Sequence, residues 1–231
     1  MPTSSSAACS MGSPSAPDFE RLLARLSEGL ESAGLDFMLI GGQAVLLHGE
    51  PRLTQDIDIT LGVGPDALGT VLAACERMEL LALPEDVQSF VRETFVLPAA
   101  DTRSGVRVDL IFSTTPYEAQ AIERSLRVEV GGRPVPFATA EDLILHKLFA
   151  GRPRDLEDAH GVVLRKRDEL DWVYLERWAE EFSAVPGKEG IRSVLSELAT
   201  DEARRAGDRA PHGIPTGHVS VLPPERGKPQ A

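Results

Sequence analysis

The stretch from Phe37 to Leu61, FMLIGGQAVLLHGEPRLTQDIDITL, constrains the fold more than any other part of the chain. Asp36 to Ile40 is a short apolar run followed by Gly41-Gly42, and it reads as a buried strand stopped by a turn. Gln43 to His48 is predicted as a short helix whose N-terminus faces that turn, with Pro51 ending it. Asp56 to Leu61 is a second strand, opened by two aspartates. Residues two apart on a strand point to the same side, so Asp56 and Asp58 face one pocket. Two anions that close repel each other unless a cation lies between them. Mg2+ suits hard carboxylate oxygens and keeps positions open for water and phosphates. The paired glycines permit close backbone approach, and the helix N-terminus after them offers N–H groups to a phosphate. Each part has a bland reading: a turn-capping aspartate beside a solvated one, and a double glycine that is only a turn. Their order along the chain favours a metal-dependent nucleotide-binding corner.

Asp109 supplies the third element. It interrupts the strand Val106 to Phe112, VRVDLIF, and a carboxylate in such a run is expensive to bury unless paired or metal-bound. Facing solvent from a half-exposed strand is its alternative. With two other strand aspartates available, a metal ligand or general base is the better assignment.

Around this corner the periodicity predicts a helix from Asp18 to Gly34 and another carrying Leu68, Val71, Leu72 and Cys75. Glu79 to Glu93 reads as loop followed by a short helix, Thr94 to Leu97 as a strand, and Tyr117 to Ser125 as a helix. Leu126 to Val130 and Pro134 to Phe137 form a hairpin across Gly131-Gly132. Thr139, with Asp142 three residues on, resembles a capping box at the head of a helix bearing Leu143, Leu145, Leu148 and Phe149. Gly151 and Pro153 break it. A helix from Asp155 to Lys166 follows, then one with Trp172, Leu175, Trp178 and Phe182, then a weaker one from Ile191 to Leu198. The fold class is therefore α+β: a small mixed sheet flanked by helices, then a C-terminal helical subdomain. The expected divisions are a disordered leader over 1–17, a core over 18–138, the helical subdomain over 139–200, and a flexible tail over 201–231. Met11 is an alternative start.

The combination GGQA…PRLTQDIDI with VDLIF resembles the nucleotidyltransferases of the DNA polymerase β superfamily. ATAEDLILHKLFAGRPRDLEDA is similar to their AbiEii/MenT-like branch, in which a lysine-bearing helix leads to an R-D-x-x-D-A helix. The resemblance covers roughly Phe37 to Leu164. It implies that Asp56, Asp58 and Asp109 hold one or two Mg2+ ions and that Lys147 neutralises a triphosphate. Gly41, Gly42, Arg52, Thr54, Asp155 and Asp158 would lie along the nucleotide cleft. Many members carry serine where this chain has Gly42, so backbone N–H groups would take over that contact. The bland alternatives are ion pairs among Arg152, Arg154 and Asp155, a snorkelling Lys147, and an Arg52 that only pairs with an aspartate.

The implied activity is transfer of a nucleoside monophosphate from an NTP to an acceptor hydroxyl with release of pyrophosphate; a toxin with an antitoxin protein as partner is one candidate for its setting, and a small-molecule modifier is another. The acceptor is open among RNA, protein and a small molecule, the last as in aminoglycoside nucleotidyltransferases. A non-catalytic nucleotide-sensing or partner-binding module of the same fold is the alternative of a different class. A formal charge of −12 disfavours a general nucleic-acid binder. Arg165-Lys166-Arg167 is the densest basic cluster and reads as a solvated helix end. His48, His146 and His160 lack metal-ligand spacing, and Trp172 with Trp178 reads as core packing rather than base stacking. Two cysteines, Cys9 and Cys75, make no disulfide framework, and a reducing cytoplasm fits that usage. No stretch is long and apolar enough to cross a bilayer.

Overall fold

The structure, a computed structural model, describes residues 16–52, 54, 56–113, 115–208 and 221–222. The first part of the chain runs α1 (Ala16–Ser32), β1 (Phe37–Ile40), α2 (Gly41–His48), β2 (Asp56–Leu61), α3 (Leu68–Arg77), β3 (Leu80–Ala82), α4 (Val87–Thr94), β4 (Val96–Asp101) and β5 (Arg107–Phe112). The second runs α5 (Pro116–Glu123), β6 (Leu126–Val130), β7 (Arg133–Phe137), α6 (Ala140–Ala150), α7 (Pro153–Lys166), α8 (Trp172–Ser183), α9 (Ile191–Asp208) and the two-residue β8 (Val221–Leu222). The strands form one mixed sheet in the order β3-β4-β5-β2-β1-β7-β6-β8. Helices α6 to α9 follow it and pack on α2 and on one another. This is the mixed sheet with trailing helices that the periodicity predicts.

β1 is apolar without alternation because it is buried along its whole length, antiparallel to β2 on one side and parallel to β7 on the other. β2 and β5 do alternate. Ile57, Ile59, Val108 and Leu110 are fully buried, which turns Asp56, Asp58, Arg107 and Asp109 to the opposite face. The two strands are parallel, with Asp58 opposite Asp109 and Asp56 opposite Arg107. A one-residue slip of β2 would put two carboxylates into the core, and one of β5 would bury Arg107 and Asp109, so the register is strongly set.

Several boundaries differ from the sequence expectation, each for a local reason. α2 begins at Gly41 rather than Gln43. β3 stands where the periodicity predicts loop, and β4 starts at Val96 and runs to Asp101. The corners that expose these strands are Glu79 and Phe95, both with φ of 58°. Left-handed corners at residues other than glycine carry no local sequence signal. α7 starts at Pro153, a favoured first helical position, which places Asp155 in its first turn. α9 continues to Asp208, past both Leu198 and the expected start of a tail at Asp201. The expected leader up to Ser15, and most of the tail, lie outside the described residues.

α6 is anchored at its head. Thr139 caps it, accepting the Asp142 N–H at 3.2 Å and donating its hydroxyl to the Asp142 carboxylate at 2.8 Å. Fully buried Asp142 also accepts from Tyr174 at 2.7 Å and Tyr117 at 3.2 Å, which ties α5 and α8 to α6. Such a carboxylate is tolerable only because its oxygens are satisfied. Trp172 and Trp178 pack against the core as expected.

Two histidines are buried with them. His48 donates its Nε2–H to the Ala138 carbonyl at 2.8 Å, and burial holds the pKa values of both His48 and His146 below the ordinary value. The native state therefore keeps them neutral while the unfolded chain takes up their protons. Their contribution to stability is complete above about pH 6.5 and declines as pH falls below it. Denaturant unfolding between about pH 7.5 and 5 should show stability falling with a slope of up to roughly 1.4 kcal/mol per pH unit for each histidine. His146→Gln should flatten that slope, and a slope unchanged by the substitution would remove His146 from the account.

Candidate active site

The corner between β1, α2 and β2 is built by close approach. Gly41 has φ of +62°, a conformation open to glycine. A Cβ there would collide with the Asp58 carboxylate, so the backbone turn and the side chain occupy adjoining space. No side chain caps the helix at Ile40, so the first-turn N–H groups of α2 are left to whatever approaches the corner. A Cβ on Gly42 would collide with the Thr54 hydroxyl oxygen. Thr54 thus stands where a serine side chain at 42 would stand, and it donates to the Asp56 carbonyl at 3.3 Å.

Asp58 is the electrostatic centre of this corner. Burial first, then the neighbouring Asp109 and Asp56, push its pKa above the ordinary carboxylate value, while Lys147 and Arg152 pull the other way. Asp56 is exposed at the head of β2. Asp109 is half-buried and gripped by Arg107, two residues away on the same strand face, whose Nε donates to its two oxygens at 2.9 and 3.2 Å. With Asp109 so engaged, no three Asp, Glu, His or Cys side chains among the described residues converge to metal-binding distance. The donor set itself fits a hard cation: three carboxylates on one sheet face, with Asp58 raised in pKa by burial and by the other two.

The opposite wall comes from α6 and α7. Lys147 is buried, not snorkelling, and its Nζ lies 2.9 Å from Asp155 and 2.8 Å from Asp158. Arg52 forks onto Asp158 at 2.9 and 3.0 Å, and Arg152 holds Asp155 at 2.5 Å. Burial alone would raise both aspartates. The hydrogen bonds from Arg152 and Lys147 to Asp155, and from Arg52 and Lys147 to Asp158, outweigh it and hold both below the ordinary value. The bland reading of ion pairs tying the helices to the sheet is therefore part of the geometry, with Lys147 and Arg52 as members. Arg107, and the pairing of Lys147 with Asp155 and Asp158, are the features that sequence reasoning missed. Of the basic cluster, Arg165 donates to the Gly49 carbonyl and Lys166 pairs with Glu169, as a helix end does.

No helix among the described residues is long and apolar enough to cross a membrane. No curated protein matches the chain. Among solved structures, an antigenic nucleotidyltransferase-like protein from Paracoccidioides brasiliensis is similar at 17% identity and a TM-score of 0.50, covering 84% of this chain and 92% of that one. The antibiotic-resistance factor ANT(2'')-Ia is similar at 16% identity and a TM-score of 0.49, covering 84% of this chain and 100% of that one. The first of these likenesses shows a shared fold. Residues 19–194 match the family described as nucleotidyltransferase of unknown function (DUF6036), and the chain belongs to that family of enzymes.

Proposed function

We propose that the chain transfers a nucleoside monophosphate from an NTP to an acceptor hydroxyl in a Mg2+-dependent reaction that releases pyrophosphate. The observation that carries this is the registry of Asp58 with Asp109 on parallel strands, with the Gly41 turn closed against Asp58. Asp56, Asp58 and Asp109 would hold one or two Mg2+ ions, which supply charge neutralisation to the entering and leaving oxygens. The first-turn N–H groups at Gly41-Gly42 and the Thr54 hydroxyl face the phosphates. Arg52 and Lys147 add positive charge, and Asp155 and Asp158 hold those two cations in place along the cleft. Asp109 accepts the acceptor's proton as its oxygen bonds to the α-phosphorus. The bond from that phosphorus to the oxygen bridging to the β-phosphate breaks, and pyrophosphate leaves with the electron pair. Arg107 must release Asp109 first, a modest cost for a half-exposed pair.

Membership of the AbiEii/MenT-like branch, and a toxin role with an antitoxin partner, belong to the same proposal. The contact of the Lys147 helix with the R-D-x-x-D-A helix supports the branch, and the toxin role follows from that resemblance alone. A small-molecule or protein acceptor is favoured over RNA. An open cavity of about 580 Å3 beside Arg107 is lined by Glu85, Asp86 and Glu93, which repel a polyanion, and the whole chain carries −12. The test is incubation with each α-labelled NTP plus total RNA, lysate protein and aminoglycosides. Label should appear outside the RNA, vanish with EDTA, and vanish in Asp56→Ala. Label transfer that survives both treatments would sink the assignment.

A further inference from the structure

On the far side of α6 from Lys147 the helices enclose a second space, about 430 Å3 in volume, between the start of α5, α6 and α8. His146 and Phe149 are three apart and line it from one face of α6, while Lys147, about 100° round the helix, turns to Asp155 and Asp158. It is therefore a separate site from the carboxylate corner.

Its walls are rings. Tyr117 meets Phe182 at 4.8 Å and 84°, and Trp178 at 4.9 Å and 65°, while Phe149 meets Phe182 at 5.2 Å and 68°. Trp178 and Phe182 are tilted at 40° with centroids 6.0 Å apart, so the lining rings meet mostly edge to face. Glu118 and Glu181 are the charged side chains that line it, and both are acidic. Arg177 and Lys188 lie over the Trp178 and Phe149 rings at 5.2 and 4.7 Å, yet neither lines the cavity, so the negative lining is not neutralised from within.

We infer that this cavity binds an organic ammonium cation between the rings of Tyr117, Phe149, Trp178 and Phe182 that line it and the carboxylates of Glu118 and Glu181. Aromatic faces attract a cation through their quadrupole, and a weakly hydrated alkylammonium loses little by leaving water. A cavity of this size holds a small-molecule ligand.

Benzyltrimethylammonium is the probe, titrated calorimetrically into the full chain without nucleotide or metal, so that the outcome is independent of nucleotidyl transfer. Saturable one-to-one binding is expected, weakened about tenfold or more in Glu118→Gln/Glu181→Gln. The control pair Glu20→Gln/Glu176→Gln removes the same charge from outside the cavity and should bind as the wild type does. Benzenesulfonate, a ring of similar size with opposite charge, should not bind. Absence of saturation, equal weakening in both variant pairs, or equal binding of benzenesulfonate would each overturn the assignment. Glu118 is half-buried and the other three glutamates are exposed, and equal melting temperatures would show that folding is not in play.

Discussion

Asp58→Asn should abolish label transfer and, in the same preparation, raise the melting temperature of the protein measured without divalent metal. The two effects have one cause. Burial raises the pKa of Asp58, and Asp109 opposite it raises it further. A carboxylate whose folded pKa exceeds its unfolded value favours folding fully below the unfolded pKa, near 3.9. That contribution is lost as pH rises through the folded pKa. Wherever Asp58 is ionised in the native state, its charge therefore costs stability that the protonated form would not. Asparagine keeps the shape that fits against Gly41 and removes the charge. The transferred label should fall by at least about 10²–10³-fold, the range seen when one preorganised electrostatic contact is removed. Added Mg2+ should raise the melting temperature of the wild type and leave the variant unmoved, since only a ligand of the native state stabilises it. If Asp58 served only to support the turn, the variant would melt lower and keep its activity.

One half of this site is readable in the sequence, and the other is hidden for a physical reason. Alternation along β2 and β5 is a local property, so it places Asp56, Asp58 and Asp109 on one face from residue order alone. The same alternation also points to Arg107, which is two residues from Asp109 and therefore beside it. What no local pattern encodes is the pairing between elements. Lys147 among leucines looks like a surface lysine, because the partners that let it be buried come from the next helix. Asp142 likewise reads as half of a cap. The tyrosines that satisfy its other oxygen sit 25 residues before it and 32 after it. The non-glycine corners at Glu79 and Phe95 hide β3 and the full extent of β4 in the same way.

Lys147→Met should destabilise the fold by about 3 kcal/mol, the lower end of the range for removing one partner from a buried ion pair. The lower end applies because Arg152 and Arg52 still cover Asp155 and Asp158 from their outer sides. Methionine fills the volume, so a loss of that size reports uncompensated charge rather than a cavity. The acid limb should change as well. Asp155 and Asp158 have lowered pKa values, so their contribution to stability is present above about pH 4 and lost as pH falls through the folded values. Without Lys147 the folded values rise toward the unfolded ones, so that loss should shrink and the acid limb should flatten in denaturant titrations. Lys147 also lowers the pKa of Asp58, and its removal should shift the acidic limb of the transfer reaction upward. A lysine that only ties α6 to α7 would lower stability and leave the pH–rate profile where it was. Movement of both profiles together would mean that the helical wall holds the same electrostatic balance that lets Asp58 ionise.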